Sequence, residues 1–144
     1  MNPERIDAYI RYFESLSPET VADLTALAAP DIRFRDPFND VRGVGKMIAI
    51  MGDMFETADD PRFVVTDHAV SGERLYLRWE FRFRPRALRS REDWLIEGMS
   101  EIGFDEEGRV CLHLDHWDAG AQFYARLPLL GTLIRFVRRR LAVD

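Results

Sequence analysis

Residues 75–84, Leu75-Tyr76-Leu77-Arg78-Trp79-Glu80-Phe81-Arg82-Phe83-Arg84, alternate apolar and polar side chains almost without error. A period of two is the mark of a half-buried β-strand. Leu75, Leu77, Trp79, Phe81 and Phe83 form one face, and Tyr76, Arg78, Glu80, Arg82 and Arg84 the other. One face is therefore buried and the other solvated, the pattern of an antiparallel sheet. Outward from this strand, Phe63-Val64-Val65 opens a preceding strand and Ser71-Gly72-Glu73 turns between the two. Trp94 to Phe104 is a third strand, Asp105-Glu106-Glu107-Gly108 a hairpin turn, and Arg109 to Trp117 the last long strand.

Before Pro61 the apolar period is 3.6. Ile6, Tyr9, Ile10 and Phe13 place a helix from about Pro3 to Leu16, with Asn2-Pro3 as its cap and first turn. Ser17-Pro18-Glu19 starts a second helix carrying Val21, Leu24, Leu27 and Ala28, which Pro30 ends. Asp31 to Arg35 alternates as a short strand, Asp36-Pro37-Phe38-Asn39-Asp40 is turn chemistry, and Gly43 to about Phe55 is a third helix. After Trp117 the chain is helical again from Ala119 to Leu127. Pro128 interrupts it. Leu130, Leu133, Ile134, Val137 and Leu141 then form a second apolar stripe, with Arg135, Arg138 and Arg139 opposite.

Helices first and a meander second give an α+β domain, its sheet wrapped around three N-terminal helices. The expected organisation is a core over residues 1–118 and a C-terminal helical extension over 119–144 on the same domain. With 144 residues the chain has the size of one domain, and 47% hydrophobic residues exclude a disordered one. No apolar stretch is long enough to cross a bilayer, and the opening residues hold no apolar run, so no secretory leader is expected. One cysteine, Cys111, fits a reducing compartment, so a cytoplasmic location is expected. A net charge of −5 argues against nucleic acid as a partner.

Three motifs carry a resemblance: Arg11-Tyr12 on the first helix, Arg35-Asp36-Pro37-Phe38 after the first strand, and Phe104-Asp105-Glu106-Glu107-Gly108-Arg109-Val110 before the last. With Trp117 they make the chain resemble the nuclear-transport-factor-2-like superfamily over roughly residues 4 to 118. The ketosteroid isomerase group and the SnoaL-like polyketide cyclases are the nearest matches by residue. The resemblance implies a cone, a curled sheet around helices with a pocket at its open end. It also implies an isomerase- or cyclase-type reaction on a small apolar or carbonyl-bearing molecule, without cofactor or metal. The rival is a non-catalytic binding or assembly module of the same fold.

By that resemblance Asp36 would be the general base and Tyr12 the oxyanion donor. Phe34, Phe38, Trp79, Phe81 and Trp117 would wall the pocket. Ser100 stands where the isomerases carry a second donor, a protonated aspartic acid, and a hydroxyl is a far weaker acid. His113 and Asp115 offer a second acid/base pair, since SnoaL-like cyclases similarly use an aspartate from a late strand. They face the cavity if no bulge intervenes, with Val110, Leu112 and Leu114 then outside, where they would suit a homodimer interface. In the opposite register His113 and Asp115 are solvated. Relatives resembling limonene epoxide hydrolase pair carboxylates across an arginine, and no clear spacing for that triad occurs.

Other features carry less. His68 reads as exposed, His116 as an ordinary hydrogen-bonded histidine, Cys111 as inert, and no Cys/His spacing suggests zinc. The arginines from Arg78 to Arg91 could bind phosphates, but alternation spreads them along a solvated face. The arginine-rich tail could lie on an anionic membrane surface. Docking over the mouth of the cone, or against a partner subunit, is the commoner use of such a tail and the expectation here.

Overall fold

The computed structural model describes residues 1–143, so Asp144, the last residue of the expected extension, lies outside the described residues. Asn2 caps the first helix, α1 (Pro3–Glu14), its side-chain oxygen accepting from the Glu4 N–H at 2.9 Å. Pro3 sits at the first turn, where no N–H is needed. Ile6, Tyr9, Tyr12 and Phe13 form the buried stripe of α1.

The expected second helix is only a 3₁₀ segment, Val21–Ala26. The next strand, β1 (Ala28–Arg35), begins three residues earlier than its alternation announces and contains Pro30. Pro30 is exposed and falls in a gap between the paired positions Ala28 and Arg33, where its missing N–H costs no ladder bond. β2 (Asp40–Arg42) follows, then α2 (Val44–Thr57), entered through Gly43 at φ +114°. That left-handed φ suits a residue without Cβ.

The strands β3 (Ala58–Ser71), β4 (Arg74–Pro85), β5 (Trp94–Phe104) and β6 (Val110–His116) form the expected meander. The six strands make one curved, open sheet in the order β2-β1-β6-β5-β4-β3. It is mixed, since β1 runs parallel to β6. Leu75, Leu77, Trp79 and Phe83 of β4 pack inward on α1 and α2, joined by Ile32, Phe34, Met47, Ile96 and Ile102. This apolar layer supplies the main stabilisation of the fold.

β6 corrects one detail of the alternation. Gly103 pairs with Leu112 but Phe104 with Val110, so the ladder slips by one residue at Cys111. Val110 therefore turns into the core, while His113 still faces inward, both nearly inaccessible.

The arginines along β4 and just after it are largely matched by carboxylates. Arg84 meets Asp93 at 3.0 Å, Arg86 meets Asp59 at 2.9 Å, and Arg82 meets Glu80 at 3.3 Å. Such exposed pairs each contribute at most about 1 kcal/mol, but they cancel the charge that would attract phosphates.

After β6 come α3 (Ala119–Gln122), a 3₁₀ turn (Tyr124–Arg126) and α4 (Leu130–Leu141). The Gln122 amide completes the sheet where β6 has ended, accepting from the Glu97 N–H at 2.7 Å and donating to its carbonyl at 2.9 Å. Phe123 and Tyr124 pack edge-on against Phe38, with centroids 5.5 and 6.2 Å apart.

Candidate functional site

One chain of hydrogen bonds runs through the inner face of the sheet. The Trp79 indole N–H donates to Ser100 Oγ at 2.8 Å, and the Ser100 hydroxyl donates to Asp115 Oδ1 at 2.5 Å. His113 Nε2 lies 2.8 Å from the same oxygen, and His113 Nδ1 lies 2.8 Å from the Tyr9 hydroxyl. The sheet builds this chain by register: Ser100 pairs with Asp115 across β5 and β6, and His113 follows two residues before Asp115 on the same face.

Donor counting assigns the protons. Burial first, and the nearby Asp115 charge second, push the Tyr9 phenol well above its usual range, so Tyr9 keeps its proton. Its only partner among the described residues is His113, so it donates to Nδ1. With Nδ1 accepting from Tyr9, His113 Nε2 is the nitrogen left to donate to Asp115. Asp115 Oδ1 thus receives two donors, an arrangement that suits a carboxylate. Among the described residues no hydrogen-bond donor reaches Asp115 Oδ2.

Asp115 lines a cavity of about 40 Å³ together with Phe13, Met51, Phe63, Val65, Leu77, Trp79, Ser100 and His113. That space holds a few water molecules or the reacting end of a larger guest. Its walls are apolar apart from the network. A wider and shallower groove, lined by Thr66, Asp67, Arg78, Trp79, Glu80 and Glu97, is open to solvent and contains none of His113, Asp115 or Ser100.

Of the residues expected to form the site, the structure brings Trp79, Ser100, His113 and Asp115 together at this cavity. It places the others elsewhere. The Tyr12 hydroxyl donates to the Val21 carbonyl at 2.8 Å, which holds the 3₁₀ segment and removes its proton from any ligand. Desolvation also pushes the Tyr12 phenol above its ordinary value.

Asp36 accepts from the Phe38 and Asn39 N–H groups, both at 2.7 Å, and from the Asn39 side chain. It closes the turn between β1 and β2 as an Asx acceptor and does not line the cavity. Ser100 likewise directs its proton within the network, to Asp115. Phe34 is wholly buried beneath the His113 ring, with centroids 5.5 Å apart. Phe81 stacks on Phe63 at 4.3 Å, behind the wall. Phe38 is 51% exposed and meets Trp117 at 5.5 Å, both outside the cavity lining.

Tyr9 is the residue of the hydrogen-bond network that sequence reading missed. It belongs to the same stripe as Phe13, and only the rotation of α1 against β6 decides that Tyr9 rather than Tyr12 reaches the histidine. Phe13, Met51, Phe63, Val65 and Leu77 were legible as core but not as cavity walls. Among the described residues no group of three or more His, Cys, Asp or Glu side chains is placed to hold a metal ion.

Comparison with known proteins agrees with the architecture. TsrD from Streptomyces laurentii is 17% identical at a TM-score of 0.69, over 89% of this chain and 98% of its own. A Catenulispora acidiphila protein with a ketosteroid isomerase-like fold, solved with trimethylamine, is 11% identical at 0.69, over 85% and 91%. A Mycobacterium tuberculosis epoxide hydrolase resembling limonene epoxide hydrolase is 15% identical at 0.65, over 98% and 93%. At these identities the likeness is one of fold. No curated protein sequence matches the chain. The family model of the SnoaL-like domain matches residues 9–113, from the tyrosine of the network to its histidine, and the chain belongs to that family.

Proposed function

We propose that the chain is a cofactor-independent acid/base enzyme that moves a proton on a small carbonyl compound, an isomerase- or cyclase-type reaction, with Asp115 as the group that takes and returns the proton. The observation that carries this reading is the asymmetry of Asp115. Its Oδ1 is held by Ser100 and His113, no donor among the described residues reaches Oδ2, and the residue lines a largely apolar cavity. A carboxylate fixed on one side and free on the other is oriented for proton transfer.

In the reaction, Asp115 takes the proton from the carbon beside the carbonyl, and the C–H electron pair becomes an enolate. The resulting carboxylic acid returns the same proton. In an isomerisation it goes to a second carbon. In a cyclisation it goes to the oxygen of the carbonyl that the enolate carbon attacks. No net proton is gained or lost.

The substrate class follows from what the lining lacks. Trp79, Ser100 and His113 all direct their protons within the network, so no lining donor is left for an oxyanion. Substrates whose carbon acid is already activated, such as 1,3-dicarbonyl compounds, need least help of that kind. The epoxide-opening alternative is less well supported, because the lining holds one carboxylate and no arginine. The non-catalytic binding module draws support from the same commitment of every donor.

Solvent-deuterium wash-in separates the readings. A panel of 1,3-dicarbonyl compounds is incubated with protein in heavy water and followed by proton NMR. Wild-type protein should accelerate exchange at the activated carbon, and Asp115→Asn should lose about a hundredfold or more of that acceleration. No acceleration, with ligand binding retained in Asp115→Asn, would assign the cavity to a binding module.

A further inference from the structure

Much of the apolar stripe of the C-terminal helix α4 is left uncovered by its own chain. Phe123 and Tyr124, before Pro128, supply the packing on Phe38, whereas α4 packs mainly on the 3₁₀ turn Tyr124–Arg126 that precedes it. Gly131 is buried so tightly against the Ala125 carbonyl that a Cβ there would collide, and Arg135 donates to the same carbonyl at 2.6 Å. Beyond that anchor the apolar stripe is bare. Leu133 is 58% exposed, Val137 45% and Leu141 78%, continuous with Leu129 at 90%.

The helix is also the basic pole of an acidic protein. Residues 119–143 hold five of the chain's 20 basic side chains and no Asp or Glu, while the whole chain carries −5. At the angular step of an α-helix, Leu130, Leu133, Ile134, Val137 and Leu141 fall within one arc. Arg138 and Arg140 lie on its two edges, and Arg135 and Arg139 lie opposite. Arg140 rests over the Phe136 ring at 5.1 Å. Among the described residues Arg138, Arg139 and Arg140 have no carboxylate partner.

We propose that α4 is an interfacial helix that lies on an anionic lipid surface, its leucine–valine stripe in the acyl boundary and Arg138 and Arg140 on lipid phosphates. An apolar arc edged by cations matches the cross-section of such a surface, where arginine stems follow the apolar layer and the guanidinium groups reach the headgroups. A second copy fits less well. Its body offers exposed apolar residues singly, and Val64 and Met99 are separated across β4 by their partners Glu80 and Arg78. This proposal is independent of the chemistry at Asp115.

Flotation of the full chain with lipid vesicles tests it. The protein should float with equimolar phosphatidylcholine–phosphatidylglycerol vesicles, release as salt is raised, and not float with pure phosphatidylcholine. Leu133→Glu/Val137→Glu should abolish flotation. Arg138→Gln/Arg140→Gln should weaken it by about thirtyfold, roughly a factor of five per arginine. Both variants change exposed side chains and should keep the wild-type melting temperature. Absence of flotation with the anionic vesicles overturns the proposal, as does flotation that survives either double substitution. If flotation is absent and Leu133→Glu/Val137→Glu converts a dimer to a monomer in sedimentation equilibrium, the stripe's occupant is a second copy.

Discussion

The Tyr9 hydroxyl on α1 and Nδ1 of His113 on β6 lie 2.8 Å apart in the buried core, joining positions 104 residues apart. The bond fastens the first helix to the centre of the sheet, and it decides which nitrogen of His113 faces Asp115. A helix residue that looks like core packing thus anchors the imidazole that contacts Asp115.

Removing that hydroxyl isolates the effect. Tyr9→Phe keeps the ring contacts with Phe13 and leaves a buried imidazole nitrogen without its donor. The expected cost is about 1–3 kcal/mol of stability, measured by denaturant unfolding. Wash-in at the activated carbon should fall with it, because the imidazole is then free to carry its proton on either nitrogen.

Alkaline pH should destabilise the fold through the same residue and its neighbour. Burial raises Tyr9 and Tyr12 above the ordinary phenol value of 10.0. A group raised on folding contributes its full stability below the unfolded value and loses it as pH rises toward the folded one. Stability should therefore decline above about pH 10, by about 1.4 kcal/mol per pH unit for each such phenol. Phenolate absorbance from Tyr9 and Tyr12 should appear only with unfolding. Reversible ionisation of all four tyrosines in the folded state would contradict this.

Gly98 is a packing requirement of the site. A Cβ there would stand 2.5 Å from the Trp79 ring and 3.1 Å from Trp117 Cβ. Gly98→Ala should displace the indole that holds Ser100, lower stability by about 1–3 kcal/mol, and shift the tryptophan fluorescence. Wild-type fluorescence and melting temperature in this variant would show that Trp79 is not wedged there.

Asp36 separates a structural from a chemical role. Asp36→Ala removes the acceptor of the Phe38 and Asn39 N–H groups and should cost about 1 kcal/mol while wash-in persists. Loss of wash-in at unchanged stability would return Asp36 to the chemistry.

The parts of the fold written in local periodicity were readable from sequence: the alternation of β4, the hairpin at Asp105–Gly108, and the caps of α1. The site was half readable. His113 and Asp115 share a parity, and the inward face follows once one residue is placed. The rest depended on contacts between distant segments. An aspartate before proline looks alike whether it caps a turn or faces a ligand, and at Asp36 two backbone N–H groups decide. Tyr9 and Tyr12 lie three residues apart on one stripe, and the docking angle of α1 selects between them. The slip at Cys111, which turns Val110 inward, leaves no mark in an alternating sequence. Pro30 ends a helix on propensity, yet it sits in a strand because the parallel partner leaves a gap there.

The wiring of the site is tested most directly by long-range nitrogen–proton correlation NMR on histidine-labelled protein. The buried His113 ring should carry its proton on Nε2, with Nδ1 appearing as an unprotonated acceptor. Tyr9→Phe should disturb that pattern. A proton on Nδ1 of the wild-type ring, or a doubly protonated imidazolium, would mean that Tyr9 does not donate to His113 and that Asp115 is not held as described here.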